Sequence, residues 1–179
     1  MHIETSNTLI DSILTPWQAC IGADYLGYRG HVYRMFHFCL ALRPTSEDDK
    51  TKLAIAAAFH DIGLWSAHTT DYIPPSVCEV NTWLAANGRQ HWQEEIDLMI
   101  RFHHKLRPFT EDRFPLVELF RKGDLVDFSA GVFKCGLPAA DVRAVQAAFP
   151  NHGFHRFLLN GAREWFAQHP FSPPPFLTW

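Results

Sequence analysis

Residues 54–63 read Ala-Ile-Ala-Ala-Ala-Phe-His-Asp-Ile-Gly. The alanine-rich, apolar part predicts the last two turns of a helix, and the glycine predicts where that helix ends. An imidazole or a carboxylate that is buried without a partner at such a helix end costs a few kcal/mol. A divalent metal ion removes that cost, because neutral histidine and ionised aspartate are both metal ligands. His60 and Asp61 are therefore candidate metal ligands.

Further histidines and an aspartate accompany this pair along the chain. His31 lies upstream, the adjacent His103 and His104 lie downstream, and Asp124 follows them. With this ordered set, the sequence over residues 24–130 resembles the HD-domain superfamily of metal-dependent phosphohydrolases. The segments that carry the resemblance are Gly30-His31-Val32-Tyr33-Arg34, Phe59-His60-Asp61-Ile62-Gly63, Ile100-Arg101-Phe102-His103-His104 and Lys122-Gly123-Asp124-Leu125-Val126-Asp127. The metal ligands that the resemblance implies are His31, His60, Asp61 and Asp124.

The implied ligand set does not select one metal. Two imidazoles and two carboxylates are compatible with Mn²⁺, Mg²⁺, Fe²⁺, Co²⁺, Ni²⁺ and Zn²⁺. Several branches of the superfamily bind a second metal ion through the aspartate of the His-Asp pair and through additional histidines. Asp127 lies one turn from Asp124 and is either the alternative ligand or a residue that orients a ligand histidine. The candidate ligands for a second metal ion are His68, His91, His103 and His104.

The resemblance also implies an activity. The expected reaction is hydrolysis of a small phosphate ester, such as a nucleotide, by attack of a metal-activated water molecule. HD-type relatives include di-iron oxygenases and hydratases or lyases that act on small molecules, and a non-catalytic, metal-binding regulatory module is a third alternative. Besides Asp61, the loop residues His68 and Asp71 are the expected catalytic groups, because their loop follows the His-Asp pair directly and either can serve as general acid or base.

Basic residues near the predicted site indicate how a substrate is held. Arg34 lies one helical turn from His31, where it can bind a phosphate through two hydrogen bonds or pair with a carboxylate. Positive charge is also concentrated within residues 101–107, in a protein whose net charge is −3. This contrast favours an anionic small-molecule substrate, although a solvated helix end gives the same pattern. The predicted substrate-binding residues are Arg34, His103, His104 and Lys105.

The hydrophobic pattern of the whole chain predicts an all-α fold. We expect residues 1–179 to form one domain of seven or eight helices, with an HD-like core at residues 24–130 and further helices and a proline-rich tail at residues 131–179. Apolar residues make up 47% of the chain and charged residues 20%, which is typical of a globular protein rather than a disordered one. The tail is expected to pack on its own domain or on a dimer partner, or else to dock another protein.

Composition and charge argue against several classes of protein. The small negative net charge predicts no general nucleic-acid-binding surface. No apolar run approaches the ~20 residues of a membrane span, and no signal peptide is expected. The four cysteines form no Cys-x-x-Cys pair and are expected to be reduced thiols of the core, which favours a cytoplasmic location. A homo-oligomer is compatible with the sequence.

Overall fold

The computed structural model describes residues 2–177, and throughout that range it contains helices and turns but no β-strand. The predicted all-α, single-domain bundle is therefore confirmed. Seven helices in this range have ten or more residues, in agreement with the seven or eight predicted. The α-helices are α1 (Thr8–Leu14), α2 (Gln18–Ile21), α3 (Tyr25–Leu42), α4 (Glu47–Phe59), α5 (Gly63–Ser66), α6 (Ile73–Ala86), α7 (Gln93–Phe102), α8 (Pro115–Phe128), α9 (Ala139–Ala148) and α10 (Phe154–Gln168). Short 3₁₀ helices occupy Thr15–Trp17, Gly22–Asp24 and Gln90–Trp92.

Helix α3 is the central element of the bundle and packs on α8, α4 and α9. Its contact with α8 is close because Gly123 has no side chain, and a Cβ atom there would lie 2.3 Å from Cys39 Sγ and 3.0 Å from the Met35 carbonyl oxygen. Gly30 on α3 lets another main-chain segment approach in the same way, since its Cβ would lie 2.8 Å from the Pro150 carbonyl oxygen. The glycine on α8 therefore allows the predicted metal ligands on α3 and α8 to meet.

Helix α4 ends immediately before the His-Asp pair, so that His60 and Asp61 lie in the turn that leads into α5. The last residues of α4 are small or apolar and buried, and α3 and α7 both pack on this helix. Tyr28 of α3 fixes the turn, because its hydroxyl group donates a hydrogen bond to the Ala58 carbonyl oxygen at 3.0 Å and accepts one from the Asp61 N–H at 3.4 Å. The pair is thus held at a point where three helices converge.

The C-terminal part of the chain folds back over this end of the bundle. Helix α10 is followed by the proline-rich tail, which the structure describes over residues 169–177. Within the tail Pro174 is buried, and the ring centroid of Phe176 lies 5.6 Å from that of Tyr72 and 5.1 Å from that of His104. The tail therefore packs on its own domain, which is one of the predicted alternatives. The last two residues of the chain lie outside the described range.

Two further expectations concern membranes and cysteines. Among the helices of residues 2–177, none is both long enough and apolar enough to cross a membrane. The four cysteines all lie in this range, and each is a free thiol. The expectation that they belong to the core is correct for Cys39 and wrong for the exposed Cys20 and Cys78.

Candidate metal centre

Six polar side chains that lie far apart in the sequence meet beside the C-terminal end of α4. They come from α3, from the turn after α4, from the segment directly after α7 and from α8. We refer to them as the His/Asp centre, which consists of His31, His60, Asp61, His103, His104 and Asp124. Two groups within it bring three ligand atoms within 4.8 Å of one another, and these groups are His31, His60 and Asp61, and Asp61, His103 and His104. The centre could therefore hold metal ions at two positions that share Asp61.

Asp61 stands between the two groups. Its Oδ2 atom lies 3.2 Å from His60 Nε2 and 3.7 Å from His31 Nε2, and its Oδ1 atom lies 3.4 Å from His103 Nε2. Oδ1 is buried and has no hydrogen-bond partner among the described residues. A buried carboxylate oxygen without a partner is costly, and a cation would satisfy it. This orphaned oxygen shows that the residues present fit a metal ion.

Asp124 belongs to neither compact group but contacts both. Its Oδ1 atom lies 3.6 Å from His31 Nε2, and its Oδ2 atom lies 3.4 Å from His104 Nδ1. Burial is the main cause of a pKa of about 8 for Asp124, far above the usual 3.8. Without a cation this carboxyl group is therefore mostly protonated at neutral pH, and a bound cation would favour its ionised form. Like Asp61, Asp124 directs one oxygen to each histidine group, which is the arrangement expected of a ligand that bridges two ions.

The tautomers of three histidines follow from acceptors on the far side of each ring. In His60 and His103, Nδ1 donates a hydrogen bond to the carbonyl group three residues earlier, at 2.8 and 2.6 Å. In His31, Nδ1 donates to Asp127 Oδ2 at 2.7 Å. With the proton on Nδ1, each Nε2 atom carries a lone pair that faces the centre. The Nε2 atoms of His31 and His60 are only 2.9 Å apart, and two lone pairs at that distance repel each other unless a cation binds them.

The charge states also suit a metal ion. Burial lowers the pKa of His31 to about 4 and that of His104 well below its usual 6.5, so both rings are neutral at pH 7, as ligands must be. Burial acts to raise the pKa of Asp61, but His60 and His103 outweigh it and hold this pKa well below its usual range. The neutral rings of His31 and His104 and the ionised carboxylate of Asp61 are suitable ligands for a divalent transition metal.

Arg34 uses four of its five N–H donors in buried contacts within the protein. Its Nε and Nη2 atoms donate to the two carboxylate oxygens of Asp127 at 2.6 and 2.9 Å, and Nη1 donates to the carbonyl oxygens of Phe149 and Pro150 at 3.1 and 3.3 Å. Its side chain is 2% exposed. The prediction that Arg34 binds phosphate is therefore wrong, and the alternative of a carboxylate partner is correct. Asp127 also orients His31, which is one of the two roles that the sequence left open for it.

Other predicted site residues lie outside the two groups. His68 and Asp71 are exposed in the loop between α5 and α6, and among the described residues neither side chain has a hydrogen bond or ion pair to the centre. The prediction that they act as general acid or base therefore finds no support in these contacts. His91 is also exposed, in the 3₁₀ helix before α7, and is not part of either group. Lys105, a predicted substrate-binding residue, also lies outside the two groups, and its ammonium group is 5.7 Å from the ring centroid of Phe102.

Tyr72 is a residue of this region that the sequence did not indicate. Its hydroxyl oxygen lies 2.9 Å from His104 Nε2 and 3.3 Å from His103 Nε2. When His104 Nε2 donates to this hydroxyl group, the lone pair of Nδ1 faces Asp124. Tyr72 lies in an irregular loop and belongs to no motif, so only the fold brings it here.

Comparison of the chain with models of protein families, with curated proteins and with solved structures finds no match. The nature of the site is therefore argued from its own residues. They form two buried, histidine-rich groups that could bind metal ions, joined by two carboxylates, within an all-α bundle.

Proposed function

We propose that this protein is a metal-dependent hydrolase of the HD type that binds two divalent ions and cleaves a small phosphate ester. The observation that carries the proposal is the position of Asp61 and Asp124, each of which directs one oxygen to each histidine group. When bound, a pair of divalent ions supplies positive charge for a phosphate group and lowers the pKa of water, which makes hydrolysis feasible at neutral pH.

The charge of the centre supports an anionic substrate group. Two divalent ions carry four positive charges, and the two carboxylates offset two of them, while His31 and His104 are neutral. The remaining positive charge suits a phosphate group, so the substrate needs no arginine or lysine partner. The engagement of Arg34 with Asp127 is compatible with this arrangement.

Tyr72 is the residue we assign to hydrogen-bond donation in this reaction. Burial raises its pKa well above 10, so its hydroxyl group stays protonated at neutral pH. The same hydroxyl lies beside His104, which is the most exposed residue of the centre. Tyr72 can therefore donate a hydrogen bond to an oxygen of the substrate.

A second candidate function is oxidation of a small molecule at a di-iron centre of the HD type. The observation that favours it is the composition of the centre, because four histidines and two carboxylates suit iron as well as other transition metals. The two candidates differ in what they consume and release. A hydrolase releases phosphate without oxygen, whereas an oxygenase consumes oxygen and releases no phosphate.

The test is an Asp61→Asn substitution, with Asp112→Asn as the matched control because Asp112 is exposed in the loop before α8. Elemental analysis should find about two transition-metal ions per chain in the wild type and the control. Asp61→Asn should lose most of the metal and the release of phosphate from a panel of phosphate monoesters, while its helical circular dichroism stays unchanged. Retention of both metal and phosphatase activity in Asp61→Asn would falsify the proposal, and oxygen uptake by an iron-loaded protein without phosphate release would favour the oxygenase.

A further inference from the structure

Next to the His/Asp centre the protein contains a cavity of about 410 Å³, within the ~300–1,000 Å³ that small-molecule sites occupy. Helix α10 and the tail form one wall, and the loop before α6 and the end of α8 form the other. Among the described residues, no Asp, Glu, Lys or Arg lines it. Its aromatic side chains are Tyr72, Phe128, Phe157, Trp165 and Phe176. The cavity is therefore suited to an apolar or aromatic group rather than to a charged one.

His104 connects this cavity with the centre. It lines the cavity, and its Nδ1 atom faces Asp124 at 3.4 Å. The His104 side chain is 10% exposed, whereas the other five side chains of the centre are between 0% and 4% exposed. The accessible edge of the centre, as far as the structure describes it, thus opens into the cavity. A molecule that reaches the centre from this side lies against apolar walls.

We infer that the cavity binds the apolar body of the substrate, and that the substrate is the phosphate ester of an apolar, aromatic-sized alcohol rather than a nucleotide. Only the phosphate head of this substrate rests on the proposed function, since the apolar body follows from the cavity. The ribose and base of a nucleotide carry many polar groups, for which these walls offer few side-chain partners, namely Thr70, Tyr72, His104 and His155. An apolar ester instead places its body among the aromatic rings and its phosphate beside His104 and Tyr72.

The inference is tested by binding rather than by turnover. The probes are 1-naphthyl phosphate and inorganic phosphate, which share the head and differ in the apolar body, and affinity is measured by calorimetry on metal-loaded and metal-free protein. Ala162→Phe fills the cavity from α10, because Ala162 is one of its lining residues. Ala167→Phe is the matched control, because it makes the same change on an exposed part of the same helix, outside the cavity lining. Thr70→Trp fills the cavity from the opposite wall and serves as a second variant if Ala162→Phe does not fold.

We expect the wild type and Ala167→Phe to bind 1-naphthyl phosphate at least about tenfold more tightly than inorganic phosphate. Ala162→Phe or Thr70→Trp should abolish this preference. Equal affinity for the two probes, or a preference that survives both cavity-filling variants, overturns the inference. A preference for the naphthyl group that the cavity variants abolish, without release of phosphate in any metal-loaded sample, keeps the cavity assignment and refutes the hydrolase proposal instead.

Discussion

The substitution Asp127→Asn tests whether a residue that orients His31, without being a candidate ligand itself, affects metal binding. The Asp127 carboxylate accepts hydrogen bonds from Arg34 Nε on Oδ1, and from both Arg34 Nη2 and His31 Nδ1 on Oδ2. Burial acts to raise its pKa, but His31 and Arg34 outweigh burial and hold the pKa at about 2, so the group is ionised. In asparagine one of the two acceptor oxygens becomes an NH₂ group. An NH₂ group at the Oδ2 position meets the N–H of His31 and the Nη2–H of Arg34, and donors then face donors.

Two effects of this substitution can be estimated. Arg34 is left buried without its counter-charge, and breaking a buried ion pair costs about 3–5 kcal/mol of the free energy of unfolding. His31 is driven to move its proton from Nδ1 to Nε2, which removes the lone pair that faces the centre. Loss of such a supporting hydrogen bond lowers metal affinity by about 10–100-fold. Asp127→Asn should therefore weaken both the fold and metal binding.

Asp124→Asn is the matched comparison, because it makes the same chemical change one turn away on α8. Since burial raises the pKa of Asp124 to about 8, this carboxyl group is mostly protonated at pH 6 in the metal-free protein, and asparagine resembles its neutral form. The substitution should change the stability of the metal-free protein by less than about 1 kcal/mol. It should nevertheless remove most of the metal affinity, because a ligand is lost.

The assay for both variants is urea unfolding with a chelator at pH 6, followed by titration with Mn²⁺ at pH 7.5. The expected order of stability without metal is wild type and Asp124→Asn together, with Asp127→Asn well below them. If Asp127→Asn unfolds at the wild-type urea concentration and also binds Mn²⁺ as tightly, then the Arg34–Asp127–His31 chain of hydrogen bonds does not orient the centre. If Asp124→Asn is as destabilising as Asp127→Asn without metal, the neutral state of Asp124 is refuted.

Two more predictions concern stability alone. Gly63→Ala should lower the free energy of unfolding by about 1–3 kcal/mol or more, because its Cβ would lie 2.2 Å from the Tyr72 carbonyl oxygen. The Cβ of Gly161→Ala would meet nothing within 4 Å, so this change should raise the free energy of unfolding by about 0.5–1 kcal/mol. Urea unfolding checks both, and equal effects of the two changes would contradict the close approach at Gly63. Burial lowers the pKa of His37 from its usual 6.5, so the native state favours the neutral ring. The stability that results is complete above pH 6.5 and is lost as the pH falls through 6.5 toward the lower pKa of the folded state. Wild-type protein should therefore lose more stability than His37→Gln between pH 7.5 and pH 5 in chelator, and parallel pH curves would show that His37 does not titrate differently on folding.

The sequence indicated that His31, His60, Asp61 and Asp124 lie together, and the structure brings these four side chains close to one another. The His-Asp pair follows an apolar, alanine-rich helix, but α4 ends at Phe59, directly before the pair, and the glycine that was expected to end it begins α5 instead. The structure also brings His31 and Asp124 to the pair, and Gly123 directly before Asp124 is what allows α8 to approach α3. Arg34 was misjudged because phosphate and carboxylate present the same charge and the same two acceptors to a guanidinium group. A clue was nevertheless present, since His31 and Arg34 on α3 have the same three-residue spacing as Asp124 and Asp127 on α8, and two helices with matching spacing can pair both positions.

The cavity could not be predicted, and the reason bears on how a substrate is chosen. Its walls include Phe157, Trp165 and Phe176, which lie beyond residues 24–130 and belong to no motif. In the sequence, Phe157 and Trp165 belong to an amphipathic helix, and Phe176 belongs to a proline-rich tail. These residues line one cavity only because the tail folds back onto Tyr72 and His104. The residues of the centre are constrained by metal chemistry, which restricts their types and order along the chain. The cavity walls are constrained only to be apolar and of the right size, so many sequences satisfy them, and the identity of the substrate must be inferred from their arrangement in space.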